Sequence, residues 1–444
     1  MGKLTTDMDA LIARLYPICR SITGDGVRQT LQILREHIPI EVREVPTGTR
    51  VFDWTVPREW NIRDAWIKNR AGKRLVDFRE LNLHVVSYSV PIYRRMQLAE
   101  LRDHLFTVKG HPEWIPYRTS YYEENWGFCL SERQLGQLSD EQEYDLCIDS
   151  SLTNGHLSYG EYLLEGEEAD EMLISCHICH PSLANDNLSG IALAVELARR
   201  LAESPRRYSY RFLFVPGSIG AITWLAQNEA ILARIRHGLV LTCVGDAGNI
   251  TYKRSRRGNA DIDRAFAHVL QHSGDPHQVI DFSPYGYDER QYCSPGFNLP
   301  IGCMMRSVHG TFPEYHTSAD NLEFVRSEAL SDSLAKSLTV IDVIEHNRVY
   351  LNNNPKCEPQ LGKRGLYKGL TAGASKRERE MALLWVLNLS DGSQSLLDIA
   401  ERANLPFGLI KAAADALSAT DLLCEMEEGR QRDHPNSNQL PVTR

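Results

Sequence analysis

An apolar, strand-forming run that stops at histidines constrains this 444-residue chain more than any other feature. Leu173-Ile174-Ser175-Cys176 leads into His177-Ile178-Cys179-His180-Pro181, and Asp186 follows, framed by Asn185, Asn187 and, a little later, Gly190. Imidazole and carboxylate are ligands that zinc takes in enzymes. Ligands at strand ends and in adjoining loops are held by a rigid sheet while one face stays open.

Two further segments offer such groups. Glu314-Tyr315-His316-Thr317 carries a histidine in a polar loop, and Val244-Gly245-Asp246 puts a carboxylate just past the apolar run Leu239-Val240-Leu241. His177, Asp186, Asp246 and His316 are therefore the candidate metal ligands. A lone histidine is more often a hydrogen-bonded or surface group, and no His-Glu-x-x-His spacing forces a metal site. Both readings stay open on the residues alone. His180 and Cys179 read either as groups that orient His177 or as buried polar residues.

These segments, together with Phe214-Val215-Pro216, Cys243-Val244-Gly245-Asp246 and Asp288-Glu289-Arg290-Gln291-Tyr292-Cys293-Ser294-Pro295-Gly296-Phe297, resemble the zinc aminopeptidase superfamily. The chain is more closely similar to a bacterial aminopeptidase-like branch with an inserted β domain and a C-terminal winged helix, often found beside polysaccharide or secondary-metabolite genes. Val51-Phe52-Asp53-Trp54-Thr55-Val56-Pro57 and Tyr117-Arg118-Thr119-Ser120-Tyr121-Tyr122 are also typical of that branch, so the likeness covers nearly the whole chain. It implies that His177 is the first metal histidine, Asp186 a carboxylate able to bridge two metals, Asp246 a further ligand and His316 the last histidine. Cys179 stands where the superfamily has an Asp. Gly217-Ser218 stands where it has two glutamates, one the general base and one a ligand of the second metal. Gly217 takes no proton and Ser218 is a poor zinc ligand, so one zinc ion is expected rather than two. Asp288 and Glu289, in the loop that resembles the segment near the substrate amine, and His180 are the candidate replacement bases. The bland alternative for the two acids is a solvated loop or an ion pair with Arg290.

Net charge of −9 gives no global pull toward nucleic acid. The basic stretch Lys253-Arg254-Ser255-Arg256-Arg257 reads as a solubilising loop ahead of an anion contact. Ten cysteines without framework spacing read as reduced thiols, and neither a signal peptide nor a membrane span is visible, so a cytoplasmic location is expected.

Apolar strands alternating with helical stretches predict an α/β fold, a mixed sheet with helices on both faces, over residues 1–50 and 125–350. Residues 51–124 alternate apolar with polar positions and read as an inserted small β-rich domain. A linker is expected over 351–375 and a winged-helix domain over 376–428. Its expected third helix offers only Lys411 to bases, so the domain is expected to pack or dimerise rather than bind DNA. The polar tail 429–444 reads as disordered. The expected activity is a zinc-dependent, aminopeptidase-like amidohydrolase acting on a small peptide or aminoacyl substrate. Without the usual base, a binding or scaffolding protein is the alternative. Nothing in the residues settles whether it forms a homo-oligomer.

Overall fold

The structure, a computed structural model, describes residues 2–366 and 375–426. The expected tail 429–444 lies outside the described residues. The chain divides into two units, Met1–Ile341 and Asp342–Arg444.

An eight-stranded mixed sheet organises the first unit. Its order is 41–46, 156–164, 209–215, 171–177, 235–241, 301–305, 250–253 and 277–280. The four strands from Ser209–Val215 to Ile301–Met305 run parallel; 156–164 and 250–253 join them antiparallel on either side, and 277–280 pairs parallel with 250–253. All seven residues of Glu171–His177 and of Ser209–Val215 are buried, the signature of strands covered on both faces, and the sheet is indeed sandwiched by helices. Gly190–Ala202 packs against three of the central strands. Gly190 is required there by close approach: a Cβ would lie 2.6 Å from the Leu241 carbonyl oxygen.

A buried ion network ties the sheet's early strands together. Arg211 donates two hydrogen bonds to Glu171, at 2.6 and 2.8 Å, and another to Glu161, which also accepts from the Trp224 indole at 3.0 Å. It links three adjacent strands, 156–164, 209–215 and 171–177.

The inserted region forms a separate four-stranded antiparallel sheet, ordered 74–77, 59–68, 143–153 and 92–97. Its strand Glu143–Thr153 lies beyond the boundary expected at residue 124. That strand buries Tyr144, Leu146, Ile148 and Ser150 in strict alternation, so it belongs with a half-covered sheet rather than with the doubly covered central one.

In the second unit, Lys376–Leu389, Leu396–Ala403 and Phe407–Ser418 are helices, and Leu423–Glu425 is a strand. Ser375 and Ser395 start the first two helices through reciprocal capping boxes with Glu378 and Asp398. The strand Val349–Asn352 falls before and within the stretch expected as a linker, yet it is the centre of this unit's sheet, between 391–395 and 423–425. Residues 367–374 of that linker are outside the described residues. Lys411 pairs with Asp415 at 3.0 Å. No helix among the described residues is long and apolar enough to cross a membrane.

Removing the guanidinium of Arg211 leaves Glu171 and Glu161 buried without it. Arg211→Leu is expected to lower stability by about 3–5 kcal/mol, read as a shifted urea midpoint; an unchanged midpoint would show that the network carries no weight.

Candidate functional site

The parallel strands end where open α/β sheets place their sites. His177 is the last residue of its strand and is buried. Its Nε2 lies 2.8 Å from Asp186 Oδ1. His316 brings Nε2 to 3.1 Å from Asp186 Oδ2, and His180 brings its own Nε2 to 3.9 Å from the same oxygen. His177, His180 and Asp186 form a tight group able to hold a metal ion.

The charge states suit that role. Burial would raise the Asp186 carboxyl, but the His180, His177 and His316 imidazoles hold it well below the usual carboxylate range. Burial pushes His180 well below its ordinary value, against the pull of Asp186, so its imidazole is neutral. Asp186 Oδ2 and His316 Nε2 are both buried and make no aligned hydrogen bond. An ionised carboxylate, the neutral His180 imidazole and two orphaned atoms facing each other fit a metal that takes nitrogen and oxygen ligands, as zinc does.

Asp320 positions the central carboxylate. The peptide N–H groups of Asn185 and Asp186 donate to its two oxygens at 2.6 and 2.9 Å. Burial and the neighbouring Asp186 push its own carboxyl up to about 8, although those N–H groups oppose the shift. Each histidine has an aromatic neighbour: Tyr287 stacks on His177 with ring centroids 4.4 Å apart, Tyr315 stacks on His316 at 3.9 Å, and Tyr117 lies 5.0 Å from His180.

Asp246 stands apart from the metal group. Its carboxylate accepts from Asn185 Nδ2, Gly248 N, and the backbone and hydroxyl of Ser307, which leaves it a structural clamp for the loops around Asp186. The residue past the Leu239–Leu241 run that feels the charge of Asp186 is Cys243, whose buried thiol is pushed well up. Cys179 places its thiol 3.4 Å from His180 Nδ1 and 3.8 Å from the Gly217 carbonyl oxygen.

The two loop acids separate. Glu289 is locked to Lys253 at 2.8 Å, and the same ammonium donates to the Tyr285 carbonyl at 2.7 Å. Lys253 is thus buried and internal, unlike the exposed basic loop expected of its segment. Asp288 is fully buried with neither oxygen hydrogen-bonded. Its neighbour is the missing glutamate's place: a Cβ on Gly217 would lie 3.4 Å from Asp288 Oδ1 and 3.1 Å from the His177 Cβ. Burial, partly opposed by His177, lifts the Asp288 carboxyl to about 7. A carboxyl poised near neutrality can both take and return a proton.

Asp320, Tyr287 and Tyr315 had no assigned role in the sequence reading, although Tyr315 lies inside a segment singled out there and the other two stand just beside such segments. Only the distance from Asp320 to the Asp186 loop, closed by folding, exposes its function.

Comparisons with known proteins agree with this architecture. Residues 9–347 match a family described as a domain of unknown function, DUF4910, and residues 348–425 match a winged helix-turn-helix family. A Clostridium acetobutylicum protein, provisionally named a polysaccharide biosynthesis protein with aminopeptidase-like domain, is 54% identical over 413 residues, covering 93% of this chain and 95% of its own. A crystal structure from the same organism, of a protein provisionally called a peptidase, superposes with a TM-score of 0.91 at 52% identity, covering 96% of this chain and 97% of that one. A zinc aminopeptidase from Bacillus subtilis shares the fold at a TM-score of 0.55 and 13% identity, over 77% of this chain and 94% of its own.

Metal content separates the ligand candidates. Asp186→Asn is expected to abolish stoichiometric metal, whereas Asp246→Asn keeps it, as measured by plasma mass spectrometry on protein purified without a metal-affinity tag. Loss of metal in both variants would return Asp246 to the ligand set.

Proposed function

We propose that this chain, which belongs to the DUF4910 family and carries the aminopeptidase-like fold with a C-terminal winged helix, is a zinc-dependent amidohydrolase that cleaves an amide bond of a small aminoacyl or peptide substrate. The observation that carries this reading is the unpartnered Asp288 carboxylate lying against Gly217. His177, His180, Asp186 and His316 would hold the ion. When bound, zinc supplies a Lewis acid that polarises a carbonyl and acidifies water.

The remaining steps belong to the chain's own groups. Asp288 takes the proton of the attacking water on a carboxylate oxygen and delivers it to the departing amine nitrogen. Lys253, gripping Glu289 and the Tyr285 carbonyl, fixes the short helical turn Glu289–Tyr292 on which Asp288 is the N-terminal flank. Tyr287 covers His177 and meets the Tyr315 hydroxyl at 2.7 Å, which shields that side of the site from bulk water. Gly217 suits this arrangement because even a Cβ there would crowd the His177 Cβ at 3.1 Å and touch Asp288 Oδ1 at 3.4 Å.

The relative's provisional name supports a biosynthetic rather than a digestive substrate. An intracellular setting fits the ten free cysteines, six of them fully or nearly fully buried in the first unit. A second reading, a binding or scaffolding protein, is favoured by the glycine at position 217.

Hydrolysis of aminoacyl-nitroanilides and dipeptides before and after chelation tests the class; bound zinc without turnover on any such amide would favour the second reading. Asp288→Asn is expected to lower turnover by roughly 10²–10⁴-fold while leaving metal bound. The same change should raise the melting temperature of the metal-free protein at pH 8. The folded-state carboxyl sits above its ordinary value, so the native state holds its proton more tightly than the unfolded chain and loses stability as pH rises toward 7. Unchanged turnover would remove Asp288 from the mechanism.

A further inference from the structure

His316 is the most exposed of the four candidate ligands, with its side chain 34% accessible against 11% or less for the others. Its backbone sits at a φ of +56°, a left-handed conformation that a residue with a Cβ adopts only when its surroundings hold it there. Packing around an exposed loop side chain is a weak restraint, so something else must fix the angle at which the imidazole meets Asp186.

That restraint comes from the inserted region. The Tyr117 N–H donates to the His316 carbonyl at 2.7 Å, and the Ser318 N–H donates to the Ile115 carbonyl at 2.8 Å. Between them Pro116 and Thr317 face each other across an antiparallel bridge, and the Ile115 N–H donates to Ser318 Oγ at 3.0 Å. The strap therefore grips the carbonyl of the strained residue itself and, two residues on, the N–H and hydroxyl of Ser318. It is itself anchored: Thr119 bridges to Ser87, Ser87 N–H donates to the Arg118 carbonyl at 2.8 Å, and the Tyr117 hydroxyl meets that of Tyr121 at 2.8 Å. The buried Tyr117 ring stands edge-on to His316, centroids 5.1 Å apart, and also borders His180.

We propose that the strap Ile115–Tyr117, with Ser318 as its receiver, is a positioning element that sets His316 for metal binding, so that the inserted region completes the metal site. Resting on the metal reading above, it assigns Tyr117 and Ser318 a role in metal affinity that mere packing of the insertion would not require. Partners that orient metal ligands typically change affinity by roughly 10–100-fold when removed.

Zinc affinity of the full chain, measured by competition with a chromophoric chelator, is the primary readout, alongside the visible spectrum of the cobalt-loaded protein and thermal melting without metal. Tyr117→Ala is expected to weaken zinc roughly 10–100-fold and Ser318→Ala roughly tenfold, both altering the cobalt spectrum. Tyr117→Ala leaves the backbone N–H in place and removes the edge-on ring, so Tyr117→Phe, which keeps that ring, should restore affinity close to that of the unmodified chain. If Tyr117→Ala does not fold, Ser318→Ala decides. Affinity and spectrum unchanged in the folded variants would overturn the proposal alone, whereas an unmodified chain that binds no zinc would sink the metal reading and this inference with it.

Discussion

A carboxylate with no access to water, Asp186, sets the terms for everything around it. An isolated buried charge is expensive, so it must be matched by groups that tolerate burial themselves. Here the match is the imidazoles of His177, His180 and His316, while Asp320 holds the loop itself by accepting the Asn185 and Asp186 peptide N–H groups. Asn185 extends the same arrangement by donating to Asp246 and receiving the Gly245 N–H. The loops that carry His177, Asp186 and His316 thus converge because one charge has to be neutralised, and the residue positions that satisfy it also create a donor set for a cation.

The second constraint is space. At Gly217 the backbone passes close to His177 and Asp288, and the absence of a side chain lets a carboxylate from a different loop face the site. The acid beside His177 thus sits after Tyr287 rather than after Pro216. Its neighbour Glu289 does unlike work despite sharing the same peptide bond, because Lys253 reaches one and not the other.

Much of this could be read from the chain. Largely apolar strands such as Tyr210–Val215, broken only by Arg211, and Leu239–Leu241 predict a doubly covered sheet, and the histidine that ends the Leu173 run predicts where its active end lies. The capping boxes at Ser375 and Ser395, each closed by an acid three residues later, are local in the same way. Local signals of this kind survive folding because caps, periodicity and hydrophobic runs act over a few residues. The region 143–153 escaped assignment to the inserted sheet because its partners, 59–68 and 92–97, lie at least 46 residues away in sequence.

What the sequence determined alone is the set of chemically capable groups, namely His177, His180, Asp186, His316 and the acids at 246, 288 and 289, and the strand ends that carry them. Tertiary structure decided their division of labour. Asp246 became a clamp because Ser307 and Asn185 reached it first, Glu289 became an anchor because Lys253 is buried beside it, and Asp288 was left unpartnered against a glycine. Spacing along the chain cannot encode these outcomes, since each depends on which donors from distant segments arrive within about 3 Å of an oxygen, and only the packed fold settles that.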